Sequence, residues 1–309
     1  MPSQSKRFLG RLSSLKAFII APLVFLLLLG AVFAYSGLWP PMVVIESKSM
    51  QHADESSIGT IDTGDIVVVK KITSTNEVIT YLDAVPTGHT TYGALGDVIV
   101  YYKSGMSKPI IHRAMCNLVY NATGGGFDIP ALANVPSSMW SVTGDEKRWW
   151  NVDGVLELYD IGYQKVTLSI DLTAMLDYMK SPNYGGTPHG GLITMGDYNW
   201  YEGADGTYMG KYAQKWISTV KEPVKDEWLV GKARGELPWF GLLKLYATGT
   251  APSYTPRNSV VDLIASIAAI VLLPIILDII LDLMKRRGVH LFGKNKVKDE
   301  GSDKRDPPE

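Results

Sequence analysis

Serine and histidine offer the clearest catalytic chemistry in this sequence. Ser49 lies in Val-Val-Ile-Glu-Ser-Lys-Ser-Met, and His112 follows two isoleucines in Lys-Pro-Ile-Ile-His-Arg. A serine hydroxyl becomes a useful nucleophile when a base takes its proton, and the near-neutral pKa of histidine suits that role. The pair is therefore a candidate for nucleophilic catalysis. Taken singly, Ser49 is one of many serines, and a histidine on a strand is more often structural than catalytic.

Other catalytic and metal-binding patterns are missing from the sequence. It contains no His-Glu-x-x-His spacing for a metal, no Gly-x-Ser-x-Gly elbow and no glycine-rich phosphate loop ahead of a helix. The single cysteine, Cys116, excludes an internal disulfide bond and thiolate clusters for zinc or iron–sulfur centres. A formal net charge of −1 gives no electrostatic reason to expect nucleic acid as a partner. We therefore expect neither a metal nor another cofactor.

Two hydrophobic segments frame the region that holds these residues. Residues 17–38 carry no charge, and residues 260–283 include a 15-residue apolar stretch over 263–277. A helix of about 20 residues crosses the hydrocarbon core of a bilayer, so we predict two transmembrane helices. The Ala-Val-Phe-Ala sequence at 31–34 is weakly compatible with cleavage of a signal peptide. The apolar run is longer than a usual signal-peptide core, which favours a retained anchor.

The charges beyond the two segments predict their orientation. The basic segment 1–16 and the charged tail 284–309 together carry 12 basic and 5 acidic residues. Because positive charge accumulates on the cytoplasmic side, we expect a two-pass protein of the plasma membrane with both termini cytoplasmic. Residues 39–259 then lie outside. We interpret Asp282 as the partner of Arg286 one helical turn later, in preference to a functional acid within the membrane.

The region between the helices has the pattern of a β-rich domain. From Val43 onward, short apolar runs are interrupted by glycine, proline and aspartate. The run Gly64-Asp65-Ile-Val-Val-Val-Lys resembles Gly96-Asp97-Val-Ile-Val-Tyr-Tyr-Lys. In each run a turn dipeptide precedes β-branched and aromatic residues, which is typical of a strand. These runs predict strands that position the candidate serine and histidine.

Residues 117–190 differ from the rest of this domain, and we interpret them as an inserted subdomain. They are rich in glycine, proline and tryptophan. Within them we predict a strand over residues 165–172 and a short helix over residues 172–180. The sequon at Asn121 makes glycosylation at that position an open question.

The order of six motifs resembles that of type I signal peptidases. The motifs are Ser47-Lys48-Ser49-Met50, Asp62-Thr63-Gly64-Asp65, Gly96-Asp97, Ile110-Ile111-His112-Arg113, Gly196-Asp197-Tyr198-Asn199 and the stretch 230–241. The resemblance extends from the first helix to about residue 245, with residues 117–190 outside it. A histidine at position 112, where bacterial members have lysine, makes the chain similar to the archaeal and endoplasmic-reticulum branch. The resemblance implies a mainly β, signal-peptidase-like catalytic domain flanked by two transmembrane helices.

The resemblance also implies roles for individual residues. Ser49 is the expected nucleophile and His112 the general base of a serine endopeptidase that removes N-terminal signal peptides at Ala-x-Ala-like sites. Asp197 matches the first aspartate of the family's motif, and Asp205 is the best match to the second, which completes the triad in this branch. The question of which aspartate orients His112 stays open. The backbone N–H of Ser49 and the hydroxyl of Ser47 are the expected donors to the oxyanion.

Several residues depart from the family pattern. Lys48 replaces a small residue, His52 stands where many members have proline, and Tyr198 replaces an asparagine. His52 is therefore an alternative base, and Glu202 is a weaker alternative to the second aspartate. A strongly acidic exterior would protonate an exposed His112, so a shielded site would be required in such an environment.

The expected partners are preproteins that carry signal peptides and the lipid bilayer, with the protein translocation machinery as a further candidate. Met50 and the pair Trp239-Phe240 could line substrate pockets or enter the membrane interface, and core packing is the alternative. Residues 117–190 could cover the substrate groove or dock a partner. A catalytically inactive binding protein of the same fold and a cell-surface interaction protein are the alternative functions. The set of Ser49, His112 and Asp205 favours the enzyme, because a binding protein does not need all three.

Overall fold

The computed structural model describes residues 20, 22–103, 106–144, 147–162, 165–198 and 221–286. The strands in chain order are β1 (Met42–Val44), β2 (Ile66–Lys71), β3 (Thr90–Thr91), β4 (Ala94–Leu95), β5 (Val98–Tyr101), β6 (Ile110–Tyr120), β7 (Phe127–Asp128), β8 (Trp140–Val142), β9 (Val155–Ile161), β10 (Val166–Asp171), β11 (Gly191–Met195) and β12 (Leu229–Leu237). The helices are α1 (Pro22–Ser36), α2 (Tyr81–Ala84), α3 (Leu172–Lys180), α4 (Gly241–Ala247) and α5 (Ser259–Arg286). The protein is thus β-rich, as the sequence predicts.

The main sheet positions the candidate site. Its strands pair in the order β1-β2-β12-β5-β6-β11, each pair antiparallel, and β7 pairs with the end of β6. Every residue of β5 and β11 is buried, so both faces of the sheet are covered at these strands. The register places Ile99 of β5 opposite His112 of β6, and Ala114 of β6 opposite Thr194 of β11. His112 therefore lies in the covered part of the sheet, beside the strand that leads into Gly196.

A second antiparallel sheet, β10-β9-β8, lies within residues 117–190. The strand predicted over 165–172 is β10 and the helix predicted over 172–180 is α3, so both predictions are confirmed. The carboxylate of Asp171 caps α3 by accepting the backbone N–H of Ala174 at 2.8 Å. The helix buries a single apolar stripe formed by Leu172, Met175, Leu176 and Met179.

One apolar core joins the two sheets. In β10 the buried side chains alternate along the strand, as expected for a sheet with one covered face. They share a buried cluster with Tyr81 of α2, Met115 of β6 and Met195 of β11. Residues 117–190 therefore pack in the same compact unit as the main sheet, and this unit comprises Met1–Val260.

Among the described residues, one helix is long and apolar enough to cross a membrane. It covers Ser259–Met284 with a mean hydropathy of 2.8, and 6% of its apolar window is buried. Helix α1 is also apolar but shorter over Pro22–Ser36, and the beginning of the first predicted transmembrane segment lies outside the described residues. Asp282 and Arg286 form an ion pair of 2.9 Å, which confirms our interpretation of Asp282.

Candidate active site

The loop that carries Ser49 is held against the beginning of β2. Strand β1 ends at Val44, and the backbone N–H of Ile45 donates to the carbonyl oxygen of Asp65 at 2.9 Å. The carbonyl oxygen of Ile45 accepts the N–H of Gly64 at 3.0 Å. These two bonds continue the antiparallel pairing beyond the strand and fix the direction in which the loop leaves the sheet.

The loop is fixed again immediately after Ser49. The N–H of Gln51 donates to the carbonyl oxygen of Lys48 at 3.0 Å, which closes a turn around Ser49. Met50 is 1% exposed and packs in an apolar cluster, so its side chain is part of the core. The buried amide oxygen of Gln51 accepts the hydroxyl of Thr63 at 2.5 Å. Ser49 itself stays half-buried at this turn.

The hydroxyl of Ser47 lies next to that of Ser49. The two oxygen atoms are 3.1 Å apart, and either hydroxyl can donate. When Ser49 attacks a carbonyl group, the oxyanion forms close to the Ser49 oxygen, and a hydroxyl at this distance can reach it. The geometry is compatible with the expected role of Ser47 as an oxyanion donor, and that role stays a prediction.

His112 is shielded by the sheet that carries it. Its neighbours in β6 are Ile111 and the buried Arg113, and with Ile99 of β5 paired beside it His112 is 9% exposed. Burial lowers the pKa of His112 to about 4, although the negative charge of Asp197 acts in the opposite direction. Neutral imidazole is the form that can accept a proton from serine. The shielding that an acidic exterior requires is therefore present.

Gly196 is the point at which Ser49 and His112 come together. A Cβ atom added to Gly196 would lie 2.3 Å from the carbonyl oxygen of Ser49 and 3.0 Å from Nε2 of His112. The Ser49 carbonyl oxygen, in the loop after β1, and the His112 Nε2, in β6, therefore lie close to the same point. The missing side chain of glycine is what allows this approach, since real Cβ atoms do not come so close to other atoms.

Asp197, the next residue, is held by a buried arginine. Nε of Arg113 donates to Oδ1 of Asp197 at 2.9 Å, and a terminal nitrogen donates to Oδ2 at 2.6 Å. Both side chains are 0% exposed. The other terminal nitrogen of Arg113 donates to several carbonyl oxygens of residues 91–96. This bidentate pair fixes the position of the carboxylate firmly.

The partners of Asp197 keep it ionised. Burial alone would raise the pKa of its carboxyl group, but the charge of Arg113 and hydrogen bonds from Arg113 and His52 outweigh burial and lower the pKa. A charged carboxylate near His112 favours the protonated, imidazolium form of that side chain. The orientation of His112 by an aspartate stays a prediction, because Asp205, like Glu202, lies outside the described residues.

His52 contacts the carboxylate of Asp197 directly. Its Nε2 atom lies 2.8 Å from Oδ2, and the His52 side chain is 16% exposed. A Cβ atom added to Gly93 would lie 2.9 Å from Cε1 and 3.2 Å from Nδ1 of the same ring. The imidazole is thus held between Asp197 and the backbone of Gly93. This arrangement favours His112 over His52 as the base.

Sequence reasoning assigned no role to Arg113. The signal was nevertheless present, because Arg113 follows His112 in an apolar strand and precedes Ala-Met-Cys. A buried arginine requires a buried carboxylate or an equivalent set of acceptors. What the sequence could not identify is the partner, since Asp197 lies 84 positions further along the chain.

The chain matches no protein-family model and no curated protein sequence. Its function must therefore be inferred from the order of the motifs and from the geometry of the site.

Proposed function

We propose that this chain is a membrane-anchored serine endopeptidase that removes N-terminal signal peptides from exported preproteins at small-residue sites such as Ala-x-Ala. The observation that carries the proposal is the approach of Ser49 and His112 at Gly196, where the Ser49 carbonyl oxygen and the His112 Nε2 lie within 3.0 Å of one point. The order of the motifs supports it independently. A β-rich domain, with one long apolar helix among the described residues, is compatible with the proposal.

The proposed reaction follows from the chemistry of the pair. His112 takes the proton of the Ser49 hydroxyl while the oxygen attacks the carbonyl carbon of the scissile peptide bond. The negative charge that develops on the carbonyl oxygen is accepted by the N–H of Ser49 and the hydroxyl of Ser47. His112 then gives its proton to the departing amine, and water hydrolyses the ester in a second cycle through the same base.

The proposed substrate also agrees with the membrane anchors. A signal peptide has an apolar core followed by small residues at its cleavage site. An enzyme with helices 17–38 and 260–283 in the bilayer, and its domain outside, meets that site as it leaves the membrane. The proposed partners are therefore such preproteins and the lipid bilayer, with the translocation machinery as a further candidate.

The experiment that tests the proposal uses membranes that contain the full chain. Wild type, Ser49→Ala and His112→Ala are incubated with a preprotein that has an Ala-x-Ala site, and the new N-terminus is sequenced. We expect cleavage by wild type at that site and a loss of at least about 1,000-fold in each variant. Ser107→Ala, at an exposed serine outside the site, is the matched control and should cleave normally.

Two outcomes would contradict the proposal. If Ser49→Ala still cleaved the preprotein at the wild-type rate, Ser49 would not be the nucleophile. If wild type left the preprotein uncut from about pH 3 to about pH 9, a range that spans both the pKa of about 4 for His112 and the ordinary histidine pKa of about 6.5, a catalytically inactive binding protein would become the better explanation.

A further inference from the structure

Two short segments contact each other on both sides of Ser49. We call residues 48–52 the nucleophile segment and residues 196–198 the aspartate segment. Nζ of Lys48 donates to the hydroxyl of Tyr198 at 2.6 Å and lies 3.9 Å from the centre of the Tyr198 ring. The N–H of Tyr198 donates to the carbonyl oxygen of Ser49 at 3.0 Å.

The third contact between the two segments is the pair of His52 and Asp197. It joins Nε2 to Oδ2 at 2.8 Å, and Asp197 is itself fixed by the buried guanidinium of Arg113. His52 therefore connects the end of the nucleophile segment to the most rigidly held side chain of the site. Lys48 makes the corresponding connection at the beginning of the segment.

We propose that Lys48 and His52 are positioning residues that fasten the nucleophile segment to the aspartate segment and thereby hold Ser49 against His112. The inference rests on the proposed function, since it takes Ser49 as the nucleophile. Neither side chain exchanges a proton with the substrate. Lys48, His52 and Tyr198 are also the residues at which the chain departs from the signal-peptidase pattern, so the departures contact one another or the site.

The nucleophile segment is anchored in the core through Met50 and Gln51, and Lys48 and His52 add side-chain contacts across the site. The segment follows β1, a strand of three residues at the edge of the main sheet. His112, in contrast, lies in an eleven-residue strand with neighbours on both sides. A displacement of about 1 Å between nucleophile and base can cost about 100-fold in rate. Contacts across the site therefore determine how often Ser49 is in reach of His112.

The test compares variants that remove a contact with variants that keep its hydrogen-bond donor. His52→Leu removes the donor to Asp197, and His52→Gln retains an N–H at a similar distance from the backbone. We expect His52→Leu to lower kcat about 10- to 100-fold, with KM changed by less than about twofold, and His52→Gln to recover most of the rate. Lys48→Met should lower kcat in the same way, and the conservative Lys48→Arg less.

His89 provides the matched control. Its Nε2 also contacts a buried carboxylate, Asp97, at 3.1 Å, but the pair lies outside the two segments. His89→Leu should leave kcat within about twofold of wild type. Equal losses of kcat in His52→Leu and His89→Leu, with no recovery in His52→Gln, would overturn the positioning role.

Hydrogen exchange of the full chain separates failure of this inference from failure of the proposed function. In the Lys48→Met/His52→Leu variant, amide exchange in peptides that cover residues 45–52 and 196–198 should become at least about tenfold faster. Unchanged exchange would overturn the inference whether or not the chain cleaves preproteins. Faster exchange with unchanged kcat would overturn the positioning role alone. Faster exchange in a chain whose wild type cleaves nothing would overturn the proposed function and, with it, the catalytic meaning of the contacts.

Discussion

The segments that begin at Gly64 and Gly96 nearly repeat each other in sequence, yet their aspartates lie in opposite electrostatic surroundings. Asp65 and Asp97 are each 1% exposed. Asp97 forms ion pairs with Lys232 at 3.1 Å and Arg234 at 3.3 Å. Asp65 accepts two backbone N–H groups, from Asp62 at 2.7 Å and from Trp239 at 2.8 Å, and lies near the carboxylates of Asp62 and Glu236.

The pKa values of the two aspartates differ accordingly. Burial raises the pKa of Asp65 to about 7, supported by the charges of Asp62 and Glu236 and opposed by its backbone hydrogen bonds. Burial also acts to raise the pKa of Asp97, but hydrogen bonds from Ile79, His89 and Lys232 and the charge of Lys232 lower it overall. The same side chain at the same exposure is therefore half-protonated at neutral pH in one segment and ionised in the other.

Asp197 belongs with Asp97 in this comparison, because each has a cationic partner: Arg113 for Asp197, and Lys232 and Arg234 for Asp97. The difference shows that a Gly-Asp turn ahead of a strand does not determine the charge state of its carboxyl group. Long-range partners determine it, and for Asp197 they fix a negative charge close to His112.

The largest effect on stability is expected when Arg113, the cationic partner of Asp197, is replaced. Arg113→Met leaves a fully buried carboxylate without its counter-charge, and we expect the free energy of unfolding to fall by about 3–5 kcal/mol. Urea unfolding of the chain in detergent measures this. Adding Asp197→Asn to the variant should recover part of the loss, since the uncompensated charge is then gone.

The matched control for Arg113→Met is Arg234→Met, because Asp97 keeps Lys232 and His89 after that change. We expect it to cost less than about 1 kcal/mol. Equal losses of stability in Arg113→Met and Arg234→Met would contradict the distinction between Asp197, which depends on one bidentate arginine, and Asp97, which has several cationic partners.

The next effect is a pH dependence of stability that originates at Asp65. Its pKa is higher in the folded state, at about 7, than the ordinary value of 3.8 for an aspartate side chain. The folded protein therefore binds more protons, and the contribution to stability is lost as the pH rises through this range. Relative to Asp65→Asn, wild type should lose about 2–3 kcal/mol of unfolding free energy between about pH 5 and about pH 8.

The comparison with Asp65→Asn is necessary because His112 acts in the opposite direction over part of this range. Its pKa is lower in the folded state, so its contribution to stability falls as the pH decreases from about 6.5 to about 4. Urea unfolding at each pH, with the difference between wild type and Asp65→Asn as the readout, removes the His112 contribution. A difference that does not change with pH would mean that Asp65 is ionised like Asp97.

A smaller but more specific effect is expected at the glycine that precedes each aspartate. Gly196→Ala would place a Cβ 2.3 Å from the carbonyl oxygen of Ser49, and we expect kcat/KM to fall about 100-fold. Gly96→Ala would place a Cβ 2.7 Å from the backbone nitrogen of Tyr81 and should reduce stability instead. Gly235→Ala, with 3.8 Å to its nearest atom, is the control. Preprotein cleavage and urea unfolding are measured on all three variants. Equal losses of kcat/KM and equal losses of stability in Gly96→Ala and Gly196→Ala would contradict the comparison.

The sequence predicts the strands and α3 because their signals are local. Alternating β-branched residues and a regular apolar stripe depend on neighbours in the chain. The sequence also predicts the pairing of Ser49 with His112, from the chemistry of the two residues and the order of the motifs. The partners of the buried carboxylates were not predictable in the same way. Arg113 and His52 reach Asp197 over 84 and 145 positions, and Lys232 and Arg234 reach Asp97 from β12. Such pairs depend on the register of the sheet, which the local sequence does not reveal.

A measurement of kcat/KM for preprotein cleavage as a function of pH tests directly whether a buried, neutral His112 is the base for Ser49. Since the pKa of His112 is lowered to about 4, the rate should stay high as the pH falls through about 6.5 and decline only near about pH 4. His112→Ala should abolish cleavage at every pH. A decline centred near pH 6.5, the ordinary pKa of an unburied histidine, or persistent cleavage by His112→Ala, would show that a buried His112 is not the base.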